Sequence, residues 1–455
     1  MNFREFIAFL REKDALLEID HPCSVDLEIA HIIKQHDGRP VFFPEVTENS
    51  MPIVAGLFGF RTAFDLGLTS IRSNGYTAGE PMLQARRQPA TDPASFINKL
   101  CTAIDHGKAP PLIGNRDRAP CQEVVEKPEF LEELPILRHL PGDGGKYITS
   151  GIAIYTCPKY GRNISIHRMM VIGQNQLVAR VVETRGLDTA LHEKNGPLEA
   201  AITIGNAPQV MIAAATSPAK GVDELSIANT LSPFKVVKCK TIDVQVPVDS
   251  EIVIEGQFLT EKVDEGPFLD LTGTYDIIRH QPVFQVSCIT HRSDAIFHAL
   301  LPGGMEHQLL MGLPREATML KELSHFSYFK DVTLTAGSSH WFNAVVQVDR
   351  AQPIEPEQVF QACFKGHGSL KNCIIVDDDI VIDDPNDVEF AMTTRAQFDK
   401  HVYLYPNQLG SSLDPSANQL TRETCKVGIN ATIPREGPDA GYAKNFSRIS
   451  YTEKE

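Results

Sequence analysis

Residues 147–182 read "YITSGIAIYTCPKYGRNISIHRMMVIGQNQLVARVV". Short runs rich in Ile, Val, Tyr and Thr, such as "YITSGIAIY", "NISIHRMMVIG" and "QLVARVV", alternate with Gly, Pro and Asn. That pattern predicts antiparallel strands joined by tight turns. The texture continues through "AAITIG", "QVMIAAAT", "FKVVKCKTIDVQVPV", "EIVIEGQF" and "VFQVSCITHR". So many short, turn-bounded strands fit an antiparallel barrel or sandwich.

On the N-terminal side, Phe3, Ile7 and Leu10, with Phe6 beside them, repeat at helical spacing, and "ALLEID" reads as a strand. Asp26 to Gln35 predicts a second helix behind Ser24, with "RPVFF" and "PIVAGLFG" as strands. Asp92-Pro93 reads as the N-cap and first helical residue of "ASFINKLCTAIDHG". From "GKAPPLIGNRDRAP" to "LEELPILRHLPGDGG" the sequence turns Pro-rich and charged, as a linker does. Beyond residue 305 helix and strand patterns alternate: helices at "PREATMLKELSHF", "EPEQVFQACFKG" and "PNDVEFAMTTRAQ", strands at "AVVQVD", "NCIIVDDDI" and "HVYLYP". The expected class is α+β multidomain: an α/β domain over 1–112, a β domain over 113–305 and a second α/β domain over 306–455. A chain of 455 residues suits about three domains.

The formal net charge is -15, with no Lys/Arg cluster, which argues against nucleic acid or an anionic membrane as the main partner and favours a small-molecule ligand. Nine cysteines without a CxxC pair suit free thiols in a reducing compartment. The N-terminus carries Arg4, Glu5 and Arg11 within its apolar pattern, unlike a secretory signal, and no apolar run spans a bilayer. A cytoplasmic protein is expected.

The familiar cofactor signatures are missing: no GxGxxG after a strand, no Walker loop, no HExxH and no GxSxG. What remains is a set of polar residues in the β region: Asn163, Arg168, Glu224, and the carboxylates Glu265 and Asp270 of "DEGPFLDLTG". Asn163 and Arg168 are an odd number of residues apart. On one regular strand they would face opposite ways. An acidic pair around Gly266-Pro267 is usually a solvated turn, so spacing alone does not join these residues into a site.

Together they resemble the UbiD family of decarboxylases, whose cofactor is prenylated FMN. The resemblance runs over nearly the whole chain. It is carried by "NISIHR" at 163–168, "AAITIGNAPQVMIAAAT" at 200–216, "GVDELSIA" at 221–228, "EIVIEG" and "EGPFLDLTG" between 251 and 273, "KNCIIVDDDI" at 371–380 and "SSLDPSA" at 411–417. It implies a split β-barrel that carries the flavin between N-terminal and C-terminal α/β domains, the latter supporting a homodimer or higher homo-oligomer. Arg168, Glu265 and Asp270 would be the acid-base triad. Asn163 and Glu224 would bind a divalent cation, typically manganese, that bridges to the cofactor phosphate, with K+ as a further candidate ion. Ser165, Ile166, His167, Arg185 and Lys371 would complete the cofactor contacts. A separate flavin prenyltransferase would supply the cofactor. The implied activity is reversible, non-oxidative decarboxylation of an α,β-unsaturated or aromatic carboxylic acid. "LPGGMEHQLLMGLPREA" resembles members that act on anhydromevalonate phosphate. The chemistry is reasonable: an arginine lowers a neighbouring carboxyl pKa and two adjacent carboxylates push one up, so such a cluster holds one transferable proton.

One position departs from the family pattern. Where a metal-binding histidine is expected, this chain has Gly186, preceded by Arg185. Water or a phosphate oxygen filling the gap, His192 reaching in, and Arg185 neutralising the phosphate are three alternatives. A paralogue that has given up the cofactor is a fourth; a catalytically silent subunit supporting an active partner and an ordinary FMN oxidoreductase using the same β region are the rival functions. His167 reads as lying on the strand face opposite Arg168. Glu306 and His307 read equally well as a helix start or as the mouth of a substrate site. Trp341 reads as core, and "DDDIVIDDPNDVE" as a strand end with solvated turns.

Overall fold

The computed structural model describes residues 1–68, 82, 88–114, 119–126, 130–435, 441 and 446; part of the expected linker, 115–118, lies outside them. The chain is a mixed α/β structure that divides into two compact units, residues 1–87 with 102–314 and residues 88–101 with 315–455.

The first unit opens with the helix Phe3–Glu12. Its N-terminus is closed by a reciprocal capping box between Asn2 and Glu5, and its buried face is Phe3, Phe6, Ile7, Phe9 and Leu10. Strands β1 (Leu17–Glu18), β2 (Val41–Phe43) and β3 (Ile53–Ala55) follow, and a strand from far along the chain, β17 (Phe297–His298), completes their sheet. The second helix is Glu28–Gln35, beginning later than the expected Asp26 because Leu27 has a positive φ of 71°.

Nine strands build the large sheet: β4 (Val124–Glu126), β5 (Tyr147–Ile148), β6 (Ile152–Cys157), β7 (Gly161–Ile166), β8 (Met169–Gly173), β9 (Gln176–Ala179), β10 (Leu198–Ile204), and two long strands, Ile252–Glu265 and Arg279–His291. A separate hairpin, β11 (Val236–Lys238) with β12 (Gln245–Pro247), precedes the long strands, which become β13 and β16. Between them sits a short pair, β14 (Phe268–Leu269) and β15 (Tyr275–Asp276). The order is β5-β8-β9-β16-β13-β10-β6-β7, with β4 also on β16, and every ladder is antiparallel. Among the described residues no ladder joins the two ends, β5 and β7. Ile202, Ile204, Ile252, Ile254, Phe258, Phe284 and Ile289 share one buried cluster with Val41, Phe43 and Ile53 of the N-terminal sheet. Each such side chain contributes about 1.5–3 kcal/mol by leaving water.

One expectation for this region fails, and one helix expected earlier in the chain forms with a different cap. "QVMIAAAT" is a helix, Pro208–Ala215, not a strand. It is buried along almost its whole length, so no helical periodicity shows in the sequence; Pro208 at its first position and its alanines favour the helix. The helix expected after Asp92-Pro93 is Phe96–Asp105. Ser95 Oγ caps it by accepting Asn98 N–H at 3.2 Å, while Asp92 accepts from Ala94 N–H at 2.8 Å.

The second unit is a five-stranded sheet of β18 (Phe329–Leu334), β19 (Asn343–Val348), β20 (Asn372–Asp377), β21 (Val402–Leu409) and β22 (Glu423–Ala431), in the order β18-β19-β20-β22-β21. The parallel pair β19–β20 is reached through the helix Pro356–Gly366, and β20–β22 through the helix Pro385–Arg395 followed by β21, which lies antiparallel to β22. β18 and β22 were not expected. The helix expected from Pro314 begins at Met305 and runs to Leu323 with Pro314 inside it.

Candidate active site

The parity problem between Asn163 and Arg168 is solved by a break in the strand. β7 pairs with β6 as far as Ile166 opposite Ile152, and β8 starts its own ladder with Met169 opposite Ala179. His167 and Arg168 lie in the step between the two ladders, where His167 N–H donates to Gly151 O at 3.0 Å and Arg180 N–H to Arg168 O at 3.1 Å. The alternation of side chains restarts there, so Arg168 need not oppose Asn163.

Arg168 gathers three carboxylates. Its Nε and Nη2 donate to Glu265 Oε1 and Oε2 at 3.0 and 2.9 Å, Nη1 donates to Asp270 Oδ2 at 2.6 Å, and Nη2 also reaches Asp276 Oδ2 at 2.9 Å. Its guanidinium lies over Phe268, 5.2 Å from the ring centroid. Burial alone would lower the Arg168 pKa, but the three carboxylates outweigh it and the net shift is upward. Glu265 ends β13 and is fully buried, and Tyr147 donates to its Oε1 at 3.1 Å. Gly266 then takes φ +101°, a conformation that glycine adopts freely, and the chain folds back through β14 to bring Asp270 to the same guanidinium. Asp270 is the more accessible acid, its side chain 16% exposed against 0% for Glu265.

Sequence reading missed Asp276. It is shared by Arg168, by Arg279 (Nη2 to Oδ1, 2.8 Å) and by Arg180 (Nε to Oδ2, 3.6 Å). Burial would raise its pKa, but Arg279 and Arg168 hold it below the ordinary value. His307 also belongs here. Gly303 N–H donates to its Nδ1 at 3.0 Å, which puts the proton of the neutral ring on Nε2. Desolvation lowers its pKa, Asp270 opposes that and Arg168 adds to it, so the ring feels both groups.

A second cluster surrounds Asn163. Tyr155, its cross-strand partner on β6, donates from Oη to Asn163 Oδ1 at 2.5 Å, and Asn163 Nδ2 donates to Glu224 Oε1 at 2.7 Å. Glu224 Oε2 accepts Ile164 N–H at 3.1 Å. Glu224 opens the helix Glu224–Leu231, is 3% exposed and has no basic partner among the described residues; burial pushes its pKa up to about 8. The nearby cation, Arg162, is taken by Asp223.

The other expected cofactor residues fall in different places. Ser165 Oγ meets His167 Nε2 at 2.8 Å, and His167 Nδ1 meets Arg180 O at 2.9 Å, so His167 is clamped in the strand break rather than facing away on a strand. Burial lowers its pKa. Ile166 is the last residue of β7. Arg185 is exposed at the N-cap of the helix Gly186–Lys194, and His192 on that helix is exposed with its Nδ1 on Asp188 O, so it makes no contact with Asn163. Lys371 lies in the second unit, where its Nζ donates to Asp414 Oδ2 at 2.8 Å.

Arg168 held among Glu265, Asp270 and Asp276, where β7 gives way to β8, is a site suited to acid-base chemistry, and domain models say which family of enzymes it belongs to. The N-terminal, Rift-related and C-terminal domains of 3-octaprenyl-4-hydroxybenzoate carboxy-lyase match residues 7–77, 114–305 and 308–431. The chain belongs to the UbiD family. Among its relatives, the anhydromevalonate phosphate decarboxylase of Methanocaldococcus jannaschii is 37% identical over 89% of this chain and 91% of its own length. That of Methanosarcina mazei is also 37% identical, over 95% and 96%. Among solved structures, the UbiD-class enzyme HmfF from Pelotomaculum thermopropionicum in complex with FMN superposes with a TM-score of 0.88 at 34% identity, covering 99% of this chain and 98% of that one. An evolved dimeric form of HmfF with prFMN gives 0.84 at 33%, covering 99% and 97%.

Proposed function

We propose that this chain is a carboxy-lyase that removes CO2, reversibly and without net oxidation, from an unsaturated carboxylic acid, with prenylated FMN as cofactor and anhydromevalonate phosphate as the first substrate to test. The observation that carries the reading is the convergence of Glu265 and Asp270 on Arg168. The relatives' names and the FMN and prFMN complexes of HmfF support the same choice.

In the reaction the bond from the substrate's unsaturated carbon to its carboxylate breaks, CO2 leaves, and a C–H bond forms at that carbon. The modified flavin, when bound, supplies the sink for the electron pair left behind. Asp270, the more accessible acid, donates the proton, and Arg168 with Glu265 fixes its position and balances its charge when it ionises. Phe268 packs against the Arg168 guanidinium and Tyr147 donates to Glu265, which steadies that pair. In the reverse direction Asp270 takes the proton back.

Asn163 and Glu224 are the proposed holders of the divalent cation, manganese being the expected ion. A buried carboxylate with no basic partner among the described residues suits a cation, and amide and carboxylate oxygens are donors that manganese accepts. Ser165, Ile166, His167, Arg185 and Lys371 are the further cofactor contacts in this reading. A K+ ion has no comparable support here. The split-barrel form of the nine-stranded sheet, the boundaries near 112 and 305, supply of the cofactor by a flavin prenyltransferase, and a homo-oligomeric assembly complete the proposal.

The test uses protein co-produced with a flavin prenyltransferase and kept free of oxygen. The wild-type chain should release CO2 from anhydromevalonate phosphate. Asp270→Asn should retain prenylated FMN by mass spectrometry yet lose turnover at least a hundredfold, the scale of a lost general acid. Full activity in Asp270→Asn overturns the assignment.

A further inference from the structure

Gly186 occupies the place of the expected metal histidine, and the space it leaves is in use. A β-carbon on residue 186 would lie 2.5 Å from Asn163 Oδ1 and 2.9 Å from Tyr155 Oη, both closer than real side-chain contacts. What fills the space is the Asn163 side-chain carbonyl together with the Tyr155 hydroxyl that donates to its Oδ1 at 2.5 Å. Tyr155 and Asn163 face each other across the β6–β7 ladder, and Tyr155 is fully buried, so its ring has one direction to take. Gly186 is the first residue of a helix, where alanine would be the better helix former. Local propensity therefore does not explain the glycine, whereas the Tyr155–Asn163 contact does.

We infer that Tyr155 is a positioning residue for the cation site: in the room left by Gly186 its phenol fixes the Asn163 amide, so that a site short of its third protein ligand keeps one of the remaining two in place. A carbonyl oxygen has two lone pairs, so Asn163 Oδ1 can accept from Tyr155 and still face an ion. The inference rests on the cation reading proposed above. Groups that orient a metal ligand typically change ion affinity 10- to 100-fold when removed.

The test is titration of Mn2+ into the FMN-supplemented chain, read by loss of the free-ion electron paramagnetic resonance signal. Wild type is compared with Tyr155→Phe, Gly186→Ala and the double variant, with circular dichroism to check folding. Each single substitution should weaken Mn2+ binding by about tenfold or more. The double variant should be no weaker than the worse single, because both act on one amide. Unchanged affinity in both single variants overturns the inference alone. So do additive losses, since Tyr155 and Gly186 would then act on separate groups. If the wild type takes up no Mn2+, the cation reading falls and this inference falls with it.

Discussion

Three guanidinium groups turn to Asp276, and none of the motifs that identify the other acids includes it. Its side chain is 9% exposed, so removing its charge leaves Arg168, Arg180 and Arg279 under-compensated in a poorly hydrated place. Asp276→Asn should cost about 3 kcal/mol of stability, measured by denaturant unfolding, and should lower turnover by loosening Arg168. Arg168, Glu265 and Asp270 were legible in the sequence only as a set carried by resemblance, since spacing alone left a solvated turn as the simpler reading. Asp276 was illegible because its role depends on a hairpin that brings "TYD" back beside "EGPFLD". His307 stood in view, but a helix start explained it equally well until its neighbours Asp270 and Arg168 could be seen.

Among elements, the β13–β14 turn does the most to place chemistry. Gly266 at φ +101° lets the chain leave β13 right after Glu265 and return with Asp270. Gly266→Ala should cost about 1–3 kcal/mol in backbone strain, seen as a lower melting temperature. It should also reduce turnover more than cofactor retention, because Asp270 moves and Asn163 does not. Strands with a clear alternation or bounding turns, such as Ile152–Cys157 and Asn372–Asp377, were readable from residue type. Pro208–Ala215 was not, because a helix buried on nearly all sides shows no polar face and its apolar run looks like a core strand. The tract "DDDIVIDD" was only half understood. Asp377 is not solvated but buried, with Arg435 at 2.7 Å and Arg395 at 3.3 Å. Partners so distant in sequence leave no local signature.

For the molecule as a whole, pH enters through buried imidazoles. His139 is 4% exposed, neither ring nitrogen has a hydrogen-bond partner among the described residues, and burial pushes its pKa down to about 3. Between that value and about 6.5 the unfolded chain binds a proton that the folded chain refuses, so stability falls as pH drops. The slope from this group is about 1.4 kcal/mol per pH unit. His139→Leu should remove that part of the acid sensitivity, visible as a smaller gap between melting temperatures at pH 7 and pH 5. No helix among the described residues is long and apolar enough to cross a membrane. The chain's connectivity also carries a consequence for its synthesis. Residues 88–101 belong to the second unit although both their flanks belong to the first; Ala90 N–H is held by Asp331 at 2.8 Å and Thr91 by Lys330 O at 2.9 Å. Emerging from the ribosome, this early segment must wait for partners made more than two hundred residues later. A nascent chain halted near residue 314 would therefore expose it to protease, and a fragment of residues 315–455 made alone would lack a piece of its own unit.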